Sequence, residues 1–240
     1  MKRGLLTILV CLIAVPAAAA TPDEILRSSL ALLGQAKHIR VHALVMNDEV
    51  IATGQKLQRT FDSTIEVRRP DGLRIDSVAD RYRRDIRYDG KMLVVYDPDK
   101  KLYGSFDAPQ TIDATIAKAR DQFGIDLPLG HLFAEGAYEL LSTKTFTATY
   151  VGLHRVEGTP CHHLAFSNDN VDWQIWIAAE GAALPRRIVI DYKNRPGRPE
   201  YIALLSDWNL KAEFSATEFS FTPPAGAEKI DFLPAERASK

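Results

Sequence analysis

Hydrophobic and polar residues alternate along most of the chain from residue 38 onward, and this period of two predicts β-strands. The first run places Ile39, Val41, Ala43 and Val45 on one face. Further strands are predicted near residues 55–60, 64–69, 73–78, 82–88, 92–96, 102–106, 146–155, 161–166, 171–178, 186–192, 201–210 and 218–221. About ten strands in one run are typical of a single, strongly curved sheet.

The run at residues 171–178 has the clearest alternation. Val171, Trp173, Ile175 and Ile177 lie on one face because side chains in a strand alternate between the two sides of the sheet. This face is a candidate wall for either a packed core or a cavity.

Helical spacing occurs at three places, one before the strands and two between them. Thr21, Pro22 and Glu24 form a capping box that opens an N-terminal helix. Residues 111–123 place Ile112, Ile116 and Phe123 at helical spacing. A further helix is predicted at about residues 130–141.

The predicted fold class is therefore mainly β with inserted helices (α+β). The helix that carries Ile112, Ile116 and Phe123 has two interpretations. It covers the core, or it forms a lid over an apolar cavity, because a curved sheet fills its inner face with side chains, helices or ligand. Periodicity does not choose between these interpretations.

The first residues have the pattern of a secretory signal peptide. A basic start, Lys2 and Arg3, precedes a short apolar run and then Ala18, Ala19 and Ala20. We expect cleavage after Ala20, which leaves residues 21–240 as a single exported domain. No later stretch is long and apolar enough to span a membrane.

Charge gives no sign of a nucleic-acid partner. The chain has 30 Lys and Arg residues against 31 Asp and Glu residues, and its formal net charge is −1. Arg81, Arg83, Arg84 and Arg87 form a local cluster that could bind an anionic group, but a solvated strand face with Asp85 interleaved explains it as well.

Cysteine and histidine residues do not form a recognisable metal pattern. Cys161 is the only cysteine after the signal, so we expect no internal disulfide. His162 and His163 follow it, but neighbouring strand residues point to opposite faces, so only Cys161 and His163 could converge, with His154 as a third candidate. We predict no metal and no cofactor.

The sequence contains no motif for catalysis. It has no nucleophile elbow, zinc-protease motif, phosphate-binding loop or dinucleotide fingerprint, and no carboxylate pair stands out as an acid and base couple. We therefore predict no catalytic residues and no enzymatic activity. A hydrolase would need a nucleophile that the sequence does not reveal.

Several short segments occur in an order that resembles the periplasmic outer-membrane lipoprotein carrier (LolA/LolB-like) superfamily. These segments are "VRRPDGLRI", "YDGKMLVVYDPDKKLY" and "FSFTPPAGAEKI". "DQFGIDLPL", "DWQIWIAAEGAALPRRIVIDYK" and "FTPPAGAEKIDF" are more similar still to an uncharacterised family of predicted periplasmic proteins with that fold. The resemblance covers nearly all of the chain after the signal.

The resemblance implies an incomplete antiparallel β-barrel closed by an α-helical lid, with an apolar cavity for acyl chains. It implies that Arg69, the arginine before the proline of the "RRP" element, latches the lid to the barrel through hydrogen bonds. The region from Pro109 to Leu141 and the strands after it are longer than in the carrier proper.

The expected function is a periplasmic carrier or binding protein for a lipid or lipoprotein acyl chain. Arg69 is the candidate latch. The candidate lid residues are Ile112, Ile116 and Phe123, and the candidate cavity-wall residues are Val171, Trp173, Ile175 and Ile177. The alternative is an envelope-stress sensor or accessory interaction module on the same fold, which would bind an envelope protein.

Overall fold

A computed structural model describes residues 20–79, 82–142 and 147–234. The predicted signal peptide lies almost wholly outside the described residues, and so does Arg81. The helices are α1 (Pro22–Gln35), α2 (Ile112–Phe123) and α3 (Ala137–Ser142), with a 3-10 helix at Pro128–Phe133. The strands are β1 (His38–Val50), β2 (Lys56–Arg68), β3 (Gly72–Ala79), β4 (Tyr82–Tyr88), β5 (Met92–Asp97), β6 (Leu102–Asp107), β7 (Thr147–Val156), β8 (Thr159–Ser167), β9 (Val171–Ala178), β10 (Pro185–Tyr192), β11 (Glu200–Asn209) and β12 (Glu228–Lys229).

All these strands belong to one open sheet in the order β12-β6-β5-β4-β3-β2-β1-β11-β10-β9-β8-β7. Neighbours are antiparallel except for β12, which pairs parallel with β6. The predicted fold class, mainly β with inserted helices, is confirmed. So is the meander predicted from "YDGKMLVVYDPDKKLY", which forms β4, β5 and β6.

The main hydrophobic core covers one side of this sheet, which we call the inner face. Side chains from alternate strand positions, such as Val41, Ile65 and Ile175, meet buried residues of α1 and α2 there. A small second cluster, Val156, Cys161, Trp176 and Val189, lies on the opposite, outer face. The alternation predicted for residues 171–178 is therefore confirmed, since Trp173 and Trp176 belong to different clusters.

The predicted helix ends are explained by their caps. The Thr21 side chain accepts a hydrogen bond from the Glu24 backbone N–H, and the Glu24 carboxylate accepts one from the Thr21 backbone N–H, which completes the capping box. The helix α2 begins after Thr111, whose hydroxyl accepts from Ala114 N, and it ends at Gly124 with a φ of 66°.

Three of the sequence predictions were wrong in detail. The strands predicted at 55–60 and 64–69 form one strand, β2, because β1 pairs with it without interruption from Val50↔Lys56 to His38↔Arg68. The helix predicted at 130–141 is broken between the 3-10 helix and α3, where Gly136 has a φ of 84°. Residues 218–221 form no strand.

Residues 214–221 cross the outer face instead, and aromatic packing explains the apolar pattern that suggested a strand. Phe219 is buried beneath Arg68, whose guanidinium carbon lies 4.7 Å from the ring centre. Glu218 accepts a hydrogen bond from Arg74 at 2.5 Å. Further along, Phe232 passes the edge of β6 and contacts Phe123 on the inner face.

Candidate functional site

The inner face holds an open cavity of about 400 Å³ above β9 and β10. Its volume lies within the usual range of small-molecule sites, about 300–1,000 Å³. The buried residues that line it are all apolar, namely Leu129, Leu132, Trp173, Ile175 and Ile188. We call this space the larger cavity.

Strand alternation and the 3-10 helix together build these walls. Trp173 and Ile175 come from β9, and Ile188 from β10, directly opposite Ile175 in the register. Trp173 is fixed by stacking on Phe166 of β8, with ring centres 4.2 Å apart. Leu129 and Leu132 enter from the 3-10 helix. The walls are therefore side chains held by packing on regular elements.

Polar and exposed residues surround the opening of the larger cavity. The exposed lining residues are Arg120, Asp126, Leu140, Asn170, Asn194 and Arg195. Arg195 pairs with Asp126 at 2.9 Å, and its guanidinium carbon lies 3.9 Å from the ring centre of Tyr192. Burial, with a contribution from Asp126, raises the pKa of Tyr192 to about 12, so its hydroxyl stays protonated and able to donate.

A smaller cavity of about 180 Å³ lies beside the larger one, above β1 to β4. Asp126 and Leu129 line both cavities. Here Ser63 and Ser77 share a hydrogen bond of 2.9 Å. The Arg84 guanidinium carbon lies 4.7 Å from the ring centre of Tyr82.

Two buried polar atoms at the smaller cavity lack partners. Within the ranges that the structure describes, neither Asn47 Oδ1 nor the Tyr82 hydroxyl has a hydrogen bond. Buried polar atoms in native proteins are nearly always paired with protein or water. These two atoms could therefore bind water or a polar group in the smaller cavity.

Arg69 connects three backbone carbonyls next to the inner face. Its Nε donates to Ala36 O at 3.1 Å, Nη2 donates to Leu33 O at 3.3 Å, and Nη1 donates to Phe133 O. Leu33 and Ala36 are at the end of α1, and Phe133 ends the 3-10 helix. Burial lowers the pKa of Arg69, although the nearby charges of Asp113 and Glu135 act in the opposite direction.

The structure brings some of the predicted site residues together. Val171, Trp173 and Ile175 all line the larger cavity. Ile177 is fully buried in the main core and does not line that cavity. It lies further along β9, at the position paired with Pro185.

The three predicted lid residues lie on α2 and pack against other side chains. Ile112 and Ile116 are buried in the main core, and Phe123 stacks on Phe106 with ring centres 4.7 Å apart. None of the three lines the larger cavity, although Arg120 of the same helix does. Arg69 and Ile112 line a separate polar space beside Asp113.

Sequence reasoning missed several residues of the larger cavity. Ile188, Ile190 and Tyr192 alternate along β10 and line the cavity opposite β9. Their period of two was a signal that could have identified them. Asp126 and Arg195 are 69 residues apart, so no local pattern could have paired them.

The arginine cluster is divided between the two faces of β4. Arg84 lines the smaller cavity, whereas Arg87 donates to Asp85 at 2.7 Å and to Ser220 O at 2.9 Å on the outer face. Arg83 is exposed. The cluster is therefore not one continuous basic surface in the part of β4 that the structure describes.

The histidines near Cys161 form hydrogen bonds with one another. His154 Nδ1 lies 2.9 Å from His163 Nδ1, and His163 Nε2 lies 2.8 Å from Gln174 Oε1. Burial raises the pKa of the Cys161 thiol. Among the described residues, no group of three or more His, Cys, Asp or Glu side chains could hold a metal ion.

A family model for predicted periplasmic proteins, DUF2092, matches residues 22–233. The chain belongs to this family. The match confirms the resemblance to an uncharacterised periplasmic family. No curated protein matches the sequence. None of the helices in the described ranges has the length and apolar character needed to cross a membrane.

Solved structures share the fold of this family member at low sequence identity. Lipoprotein LppX from Mycobacterium tuberculosis is 13% identical with a TM-score of 0.51, and the match covers 80% of this chain and 97% of LppX. An uncharacterised conserved protein from Thermus thermophilus is 8% identical with a TM-score of 0.50, over 87% and 98% of the two chains. A LolA superfamily protein from Nitrosomonas europaea is 10% identical with a TM-score of 0.43, over 85% and 99%.

Proposed function

We propose that this member of the DUF2092 family is a non-catalytic periplasmic binding or carrier protein that holds the acyl chain of a lipid or lipoprotein. The observation that carries the proposal is the larger cavity, whose buried walls are apolar side chains. Residues 21–240 would form a single half-barrel domain after cleavage of the signal peptide at Ala20. The description of the family as periplasmic supports this localisation.

Burial of an acyl chain supplies affinity without a reactive group. Each methylene that leaves water contributes about 0.8 kcal/mol, so about ten methylenes contribute about 8 kcal/mol. The loss of translational and conformational freedom on binding subtracts several kcal/mol from that figure. About 4 kcal/mol then remains, which corresponds to a millimolar affinity, and each further pair of buried methylenes tightens it by more than about tenfold.

In this proposal the helices control access to the chain. Arg69 acts as a latch between α1 and the 3-10 helix, which carries two wall residues, Leu129 and Leu132. The helix α2, with Ile112, Ile116 and Phe123, acts as the cover. Val171, Trp173 and Ile175 would contact the ligand, and Ile177 would support the wall from the core.

Displacement of an apolar fluorescent probe tests the proposal. We expect fatty acids to displace the probe from the mature protein. We also expect Val171→Trp to lower the affinity for the probe and for the fatty acid by at least about tenfold, because the added ring occupies the cavity. Val151→Trp is the matched control, since Val151 is 44% exposed on β7 and lines neither cavity.

The outcomes separate binding in the cavity from adhesion to the surface. Equal loss of binding in the two tryptophan variants would place the probe elsewhere. Failure of fatty acids to displace the probe from the unmodified protein would contradict an acyl-chain site.

The alternative function is an envelope-stress sensor or accessory module that binds an envelope protein. The edge strand β7 favours it, because Leu153 is 61% exposed and Tyr150 and Val151 are exposed beside it. A pull-down that yields one stoichiometric envelope protein from the native protein, but not from Leu153→Glu, would support this alternative.

A further inference from the structure

The larger cavity is amphipathic, with an apolar interior and a polar mouth. A ligand that consisted only of hydrocarbon would leave the polar mouth without a partner. An amphiphile with its chain inside and its head group outside would satisfy both parts. The chemistry of the mouth therefore indicates which head group fits.

Arg195 is held in place at the mouth and keeps unused hydrogen-bond donors. One terminal nitrogen, Nη2, donates to Asp126 Oδ2 at 2.9 Å. The guanidinium also stacks over Tyr192, with 3.9 Å between its carbon and the ring centre. A guanidinium carries five N–H groups in one plane, and stacking leaves its edge open to a planar or tetrahedral anion.

Arg120 supplies a second cation from α2. Its Nε donates to Asp121 at 2.8 Å, and Asp121 does not line the larger cavity. The terminal nitrogens of Arg120 remain the part of the side chain that can reach a ligand at the mouth. Among the described residues that line this cavity, two arginines stand against a single carboxylate, Asp126.

The asparagines at the mouth also present donors. Asn168 Oδ1 accepts from the backbone amides of Asn170 and Val171, and Asn170 Oδ1 accepts from Asn194 Nδ2 at 3.1 Å. Their acceptor atoms are thus engaged, while the side-chain NH₂ groups of Asn168 and Asn170 are donors. A mouth rich in donors complements a head group rich in acceptors.

We propose that the mouth of the larger cavity binds the anionic head group, a carboxylate or a phosphate, of an amphiphile whose acyl chain occupies the interior. Arg195 and Arg120 bind the anion, and Asp126 competes with it for Arg195. This inference rests on the proposed acyl-chain site, because the chain holds the head group at the mouth.

Three ligands with twelve carbons each and different head groups test the inference. Dodecanoate, dodecyl phosphate and dodecanol are each used to displace an apolar probe from the mature protein at low salt and mildly alkaline pH. We expect both anions to bind at least about tenfold more tightly than the alcohol, because charge-assisted hydrogen bonds exceed neutral ones. High salt should reduce this difference.

The variants assign the effect to named residues. Arg195→Gln and Arg120→Gln should each lower the affinity for the two anions about fivefold or more and change the affinity for dodecanol by less than about twofold. Asp126→Asn should raise the affinity for the two anions, because it removes the competing carboxylate. The affinity for dodecanol should stay the same. Arg59→Gln is the control, since Arg59 is exposed, pairs with Glu49, and does not line the larger cavity.

Each contrary result has a distinct meaning. Equal affinities for the three ligands would overturn the head-group inference and leave the acyl-chain site intact. Failure of all three to bind would overturn the proposed function as well. Equally tight binding of acetate or inorganic phosphate would show a free-anion site in which the chain takes no part, which also overturns the inference.

Discussion

Removal of the Arg69 side chain should loosen the helices above the inner face and leave the sheet folded. The guanidinium donates to three carbonyls, Leu33 O, Ala36 O and Phe133 O, which lie in two different elements. A net contribution of about 1 kcal/mol for each hydrogen bond gives a loss of about 3 kcal/mol in the free energy of unfolding for Arg69→Ala. This is a large fraction of the stability of an ordinary domain.

Two further substitutions make the estimate specific. Arg69→Lys retains the charge but replaces the planar fork by a single ammonium, so it should recover only about 1 kcal/mol. Arg59→Ala removes an exposed arginine that pairs with Glu49 at 2.7 Å, and it should cost less than about 1 kcal/mol.

Chemical denaturation and amide hydrogen exchange together provide the assay. Denaturation gives the change in the free energy of unfolding, and exchange locates it. Faster exchange is expected at the end of α1 and in the 3-10 helix, while the β1 and β2 amides change only with global stability. A loss below about 1 kcal/mol for Arg69→Ala, or faster exchange spread evenly over the sheet, would refute the latch.

Three other predictions concern sites away from the latch. Tyr82→Phe removes a buried hydroxyl that has no partner among the described residues, so the free energy of unfolding should stay the same or rise by up to about 1 kcal/mol; a clear decrease would contradict this. Burial opposes ionisation of Glu218, but hydrogen bonds from Arg74 and Ser215 outweigh it and lower the pKa of Glu218. The stabilisation that ionised Glu218 gives the fold should therefore be complete above pH 4.5 and be lost as the pH falls through the lowered pKa. The free energy of unfolding of Glu218→Gln should then depend less on pH below 4.5 than that of the unmodified protein. Parallel pH dependence in the two proteins would refute the assignment. Gly104→Ala would place a methyl 2.7 Å from Phe232, so exchange at residues 228–230 should accelerate with a loss of about 1 kcal/mol, and unchanged exchange would contradict the packing.

The sheet was largely predictable because its signal is local. Turn residues and a period of two were sufficient to predict β4, β5 and β6. The division of β2 into two predicted strands failed because its polar middle, around Asp62, resembles a turn, whereas its pairing with β1 decides the outcome. Pairing between strands is a tertiary effect that overrides the local pattern.

The candidate site was predictable only in part, because alternation gives the face of a strand and not what lies above it. Trp173 and Ile177 share one face of β9, but only Trp173 lines the larger cavity, whereas Ile177 is enclosed by the core. The difference depends on what packs above the strand, and Leu129 and Leu132 of the 3-10 helix line the cavity with Trp173. The Asp126–Arg195 pair at the mouth likewise joins segments that are distant in the sequence.

Arg69 illustrates what the resemblance to the carrier superfamily adds. Nothing in the local sequence distinguishes it from Arg68, which pairs with Asp71 at 3.1 Å on the other side of the strand. The resemblance implied a latch at Arg69, and the structure shows the hydrogen bonds that such a latch requires. The exchange experiment tests whether these bonds hold the end of α1 and the 3-10 helix in place.

The most direct test of an acyl-chain site is the identity of what the native protein carries. The mature protein is purified from its own cell envelope without detergent and extracted with organic solvent. Mass spectrometry then identifies and quantifies the compounds in this extract and in a matching extract of Val171→Trp. We expect an acyl-containing molecule near one equivalent in the native protein and a strong reduction in the variant, because the added ring fills the cavity. Repeated absence of any acyl compound from the native protein, or equal amounts in the two extracts, would contradict an acyl-chain site.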